Sequence, residues 1–132
     1  MYRKDLITAE IQKLAQVLAR IMGLKLEGKQ EEAEELFLES LLKEFGITEA
    51  QLFSKQNDEF EPLITDSALP AEKLEMLSQF LYAEFNPSLP SERNDALAEK
   101  LILIYQTLEV KHRIVSMINL DRQKKVQQYL NS

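Results

Sequence analysis

The chain has no cysteine, no tryptophan, a single histidine, three glycines and four prolines among its 132 residues. Without thiols it forms no disulfide, thiolate zinc site or iron–sulfur cluster and carries no cysteine nucleophile. The absence also agrees with a cytoplasmic setting. So few glycines and prolines leave little material for the many turns of a sheet protein, which favours helices with short joints. No apolar run approaches the ~20 residues of a membrane span. The opening MYRKDLITAEIQKLAQVLARIM interrupts its apolar residues with charges every few positions, so it does not read as a secretory signal. Neither a G-x-x-x-x-G-K-[ST] nor a G-x-G-x-x-G loop occurs, which leaves nucleotide binding without support and no cofactor implied.

What is present has the balance of a globular protein, 45% hydrophobic and 29% charged, and the length suits one helical domain over 1–132. The net charge of −6 is unevenly spread. Residues 27–61 hold eleven acids against three lysines, whereas 111–132 hold five bases against one acid. An acidic balance argues against nucleic-acid binding, whose affinity comes mainly from Lys and Arg. The basic tail reads as a solvated helix face that answers the acidic region or touches an acidic partner.

Apolar spacing predicts helices throughout. Ile7, Ile11, Leu14, Leu18 and Ile21 step by three and four residues over 5–25, widened by Val17 and Met22, opposite Gln12, Lys13, Gln16 and Arg20. After Gly28, residues 29–45 place Ala33, Leu36, Phe37, Leu38, Ser40, Leu41, Leu42 and Phe45 on an arc of about 240° of a helical wheel. Glu32, Glu35, Glu39 and Lys43 fill the rest, and Gly46 closes the helix. A helix apolar on two sides is expected to pack between neighbours.

Thr48 and Gln51 predict a short helix at 48–54 by a capping-box pattern. A polar connection interrupted by Pro62 follows as far as Pro70, anchored by Phe60, Leu63 and Ile64. Leu74, Leu77, Leu81 and Phe85, beside Phe80, predict a helix over 71–85. Ser91 then caps one over 92–112, with Leu97, Leu101, Ile104, Tyr105 and Leu108 inward and Ala96, Leu103 and Val110 on a second flank. The run RIVSMIN leaves fray, extended chain and continued helix open. Asn119 or Asp121 caps a terminal helix over 120–131, with Val126, Tyr129 and Leu130 inward. The expected architecture is all-α: antiparallel hairpins 5–45 and 71–112 stacked through their second helices, a short helix and loop over 46–70, and a terminal helix.

The segment Gly28-Lys29-Gln30-Glu31-Glu32-Ala33-Glu34-Glu35-Leu36-Phe37-Leu38-Glu39-Ser40 resembles the second half of a tetratricopeptide repeat. There a glycine precedes a G-x-x-x-E-A-x-x-x-[FY]-x-x-[AS] helix. Gly28 stands at the turn, Ala33 and Ser40 are the small residues, and Phe37 is the aromatic filler. The first helix departs from the pattern with Ile21 at a usually small position, the second hairpin has Asn94-Asp95-Ala96 for Glu-Ala, and no 34-residue period is present. With LEMLSQFLYAEF and NLDRQKKVQQYL added to the opening Tyr2–Ala33, most of the chain resembles a family of small bacterial proteins with tetratricopeptide-like helices. That resemblance implies a fold and supplies no catalytic residue.

Little chemistry is legible. His112 lacks a cysteine or a second histidine to share a metal, and Glu109 is its only acid at helical spacing, so it reads as a helix-end residue. No nucleophile elbow accompanies it. The pairs Glu31-Glu32 and Glu34-Glu35 fall mainly on the polar side, without the Glu-x-x-His motifs of a di-metal bundle, and read as a solvated face. Tyr2, Tyr82, Tyr105 and Tyr129, with Phe80 and Phe85, read as core, with a concave peptide groove as the alternative. The sequence therefore predicts a non-enzymatic module that binds a protein or peptide, with Glu32, Glu35, Glu39, Tyr82 and Tyr105 as contact residues and a basic partner. Self-association into a homodimer is the second reading, and an enzyme is the least supported.

Overall fold

The structure, a computed structural model, describes the backbone of residues 2–66 and 68–132 and the side chains of 5–66 and 68–132. Tyr2, placed by sequence among the groove aromatics, thus has its side chain outside the described residues. The described residues are all-helical: seven α-helices and a π-helical turn, without a strand. They gather into two compact units, Met1–Thr48 and Glu49–Ser132.

The first unit is a helical hairpin. Helix α1 spans Tyr2–Leu26 and α2 spans Gln30–Ser40, running on into a π-helical turn at Leu41–Phe45. Between them Gly28 takes φ = 80°, a left-handed conformation that a side chain would strain. The N–H of Lys29 donates to the Leu24 carbonyl at 2.9 Å, which folds the chain back. Lys13 of α1 pairs with Glu44 at 3.3 Å. Leu14 and Ile21 are fully buried with Ala33, Phe37 and Leu41, as the three- and four-residue steps require.

Two apolar flanks expected on this hairpin are not covered. Met22 is exposed, and so is Leu42, at 58%. Helix α2 buries one face, through Ala33, Phe37, Ser40 and Leu41, instead of the wide arc of the wheel. The wheel assumes 100° per residue throughout, whereas a π turn takes more residues per turn, so residues after Leu41 lag behind their α positions.

In the second unit, α3 (Glu49–Phe53), α4 (Phe60–Thr65) and α5 (Ala71–Glu84) lead to the long α6 (Glu92–Val110), which packs against each of them and against α7 (Met117–Leu130). Leu74, Leu77, Phe80 and Leu81 of α5 are buried, as are Leu97, Leu101, Ile104 and Leu108 of α6. Phe60 and Ile64 anchor α4 in this core. Pro62 does not interrupt the helix, because it sits in the first turn, where no backbone N–H is needed. Ser91 caps α6 by accepting from the Asn94 N–H at 3.0 Å. The Asn94 side chain in turn ties the α5–α6 loop, accepting from the Asn86 N–H at 3.1 Å and donating to the Leu89 carbonyl.

The end of the chain differs from expectation. Helix α7 starts at Met117, three residues earlier than the 120–131 span, and its cap is Ser116, not Asn119 or Asp121. Ser116 Oγ accepts from the Asn119 N–H at 3.0 Å, which makes Asn119 a buried first-turn residue. The apolar pair Met117-Ile118 hides this start, since a first turn is usually polar. Val110, expected on a second apolar flank of this helix, is 79% exposed, because α6 ends there and the chain turns away.

Candidate functional site

The surface with most unmet contact chemistry is the corner where α6 turns into α7. Helix α6 ends at Val110, and Arg113 takes φ = 56°, the one described non-glycine residue at positive φ. The next N–H, of Ile114, donates to the Leu108 carbonyl at 2.9 Å. The end of α2 is built alike: Gly46 has φ = 68°, and the Ile47 N–H donates to the Leu41 carbonyl at 3.1 Å, six residues back in both cases.

One face of α7 is firmly held. Val126 is fully buried. Asn119 Nδ2 donates to Glu75 Oε1 at 3.4 Å, and the Arg122 guanidinium lies 4.7 Å from the Tyr82 ring centre. Tyr129 meets Phe85 edge-on at 5.0 Å, donates to Asp95 Oδ1 at 2.6 Å, and accepts from the Ser91 N–H at 3.4 Å. With that face fixed, helical geometry turns Met117, Leu120 and Lys124 outward. Met117 is 86% exposed, and Ile118, Leu120, Val115 and Val110 are exposed around it. Arg113 and Lys124 are exposed on the same segment, while Lys111 turns its Nζ to donate to the Thr65 carbonyl of α4.

Alongside runs an open groove of about 490 Å³, lined by Glu109, Leu120, Gln123, Lys124, Gln127 and Asn131 among others. Glu109, Leu120 and Gln123 also wall a recess of about 10 Å³, which Tyr105 and Asn119 line as well. Tyr105 is only 3% exposed, and its hydroxyl has no hydrogen-bond partner among the described residues. Burial pushes this phenol above its usual pKa, while the nearby Arg122 charge pulls the other way.

No family model, curated protein or solved structure matches this chain.

The residues singled out by sequence fall into two places. Glu32, Glu35 and Glu39 are exposed on the outer stripe of α2, in the first unit, and no ion pair reaches them among the described residues. Tyr82 and Tyr105 belong to the second unit. Tyr82 is half-buried under Arg122, while Tyr105 is core, so its ring is not available to a partner as a groove wall. His112 follows the last turn of α6, partly buried. Among the described residues no group of three or more histidine, aspartate or glutamate side chains is placed to hold a metal ion.

Sequence reasoning passed over Lys100, a fully buried lysine. Its Nζ donates to the Ser54 carbonyl at 2.6 Å and lies 5.8 Å from the Phe60 ring centre, which fastens the α3–α4 segment to α6. Burial lowers its pKa, partly offset by the Glu99 charge. The signal was available: Lys100 stands one helical turn from both Ala96 and Ile104, inside an apolar row. The exposed Met117, Ile118 and Leu120 were missed for a different reason, since the position of Ser116 as the cap decides which face they occupy.

Proposed function

We propose that this chain is a non-enzymatic, tetratricopeptide-like helical module that binds a protein segment, and that the α6–α7 corner is its binding surface. The observation that carries the reading is the group of exposed apolar side chains at Val110, Val115, Met117, Ile118 and Leu120, on the same segment as the exposed Arg113 and Lys124. Contiguous apolar surface ringed by charge is the usual anatomy of a protein-docking patch. The sign of the ring fits an acidic amphipathic segment. The tetratricopeptide-like part of the reading is supported by two successive long helical pairs, α1–α2 and α5–α6, whose second helices end in the same backbone turn. A second reading, a basic partner on α2, is favoured by the exposed stripe of Glu32, Glu35 and Glu39.

The first reading is tested by titrating the full chain into a fluorescently labelled amphipathic helix made of glutamate and leucine, followed by anisotropy. Saturable binding is expected, weakened by salt and reduced about tenfold by Leu120→Asp. No binding, or binding indifferent to Leu120→Asp, overturns the assignment. So does capture by phosphatidylserine vesicles in place of the peptide, if the same substitution abolishes it.

A further inference from the structure

We propose that the acidic segment docked at the α6–α7 corner is α2 of a second copy of this chain, so that copies join head to tail. The inference rests on the corner being a protein-docking surface and names its occupant.

Two surfaces of the same molecule are complementary in charge and in apolar content. Helix α2 carries Glu31, Glu32, Glu34, Glu35 and Glu39 without a single base between Gln30 and Ser40. Glu32, Glu35 and Glu39 line one exposed stripe, and Leu42 projects beyond its end, bared by the π-helical turn. The corner offers the converse. Arg113 and Lys124 are exposed, and neither makes an ion pair among the described residues. Gln123, Gln127 and Asn131 add amide donors along the groove, and Tyr105 holds a buried, unpartnered hydroxyl in the recess that shares its walls. Carboxylates accept and cannot donate, so a groove of amide N–H groups and Lys124, with Arg113 at the same corner, suits a row of glutamates. Leu42 offers an exposed apolar side chain to the bared Leu120, Val115 and Ile118. Glu109 is the acid at the groove edge and sets a limit on how closely the stripe approaches there.

The contact is heterologous, because the two patches differ: α2 of one copy meets the corner of another. The test is sedimentation velocity of the full chain over a range of concentrations, at low and high salt. The wild type should associate, and less so as salt screens the pairing. R113E/K124E and E32K/E35K/E39K should each weaken association about tenfold or more when alone. Mixed in equal amounts, the neutral sets R113Q/K124Q and E32Q/E35Q/E39Q should form a one-to-one dimer and nothing larger, since each mixed pair keeps one native α2 and one native corner and its other two patches lack opposite charges. Circular dichroism confirms that each variant folds.

A wild type that stays monomeric throughout overturns the inference while leaving the corner's binding of the glutamate–leucine peptide to stand or fall separately. Association untouched by either variant, or mixed variants that fail to pair, also overturns it.

Discussion

Lys100 and Tyr105, one helical turn and a residue apart on α6, are ionisable groups kept in the core, and they act on stability in opposite directions. The folded chain lowers the pKa of Lys100, so just below the ordinary lysine value the unfolded state holds more protons than the native one. Stability from this group therefore rises with pH through that window. Tyr105 is the reverse: its pKa is raised in the fold, so its contribution is complete below about pH 10 and is lost above it, as the unfolded phenol ionises first. Denaturant melts from pH 8 to 11 should show both slopes. Lys100→Met should remove the rise; it keeps volume and removes a buried charge but leaves the Ser54 carbonyl without its donor, so it should cost about 1–2 kcal/mol. Lys100→Ala leaves a cavity and an unpaired Ser54 carbonyl, and should cost about 2–4 kcal/mol. Tyr105→Phe should reduce the fall above pH 10, to which the raised pKa of Tyr129 also contributes, at a cost of less than about 1 kcal/mol at neutral pH, because no described group hydrogen-bonds its hydroxyl.

At the scale of elements, the two long helical pairs end alike. A left-handed residue is followed by an isoleucine whose N–H reaches a carbonyl six residues back, and the left-handed position is Gly46 in one pair and Arg113 in the other. A side chain there costs about 1 kcal/mol relative to glycine. Arg113→Gly should therefore raise stability by about that amount in urea unfolding, whereas Ser116→Ala, which removes the α7 cap, should lower it by about 1 kcal/mol. The same elements show how much the sequence discloses. Leu74, Leu77 and Leu81, and the Ser91 cap of α6, are legible because a periodic apolar row begins directly after a polar punctuating residue. Ser116 is not, because Met117 and Ile118 place apolar side chains in a first turn. The bared side of α2 is not either, since nothing in residues 41–45 announces a change of helical pitch. Of the contact residues, the glutamates were legible from the wheel, while the apolar corner depended on the α7 start and was not.

Over the whole molecule the charge is divided, strongly negative over 27–61 and positive over 111–132, and each region keeps apolar side chains in the open beside its charges. No described helix is long and apolar enough to cross a membrane. At the corner Met117 differs chemically from the aliphatic side chains around it, because its exposed thioether is a target for oxidants. Conversion to the sulfoxide replaces an apolar tip with a polar one. Mild peroxide treatment, with mass spectrometry to confirm oxidation at Met117, should weaken binding of the glutamate–leucine peptide severalfold, and Met117→Leu should bind as the untreated chain does and resist the loss. The corner would then respond to the oxidative state of its surroundings through a single sulfur atom.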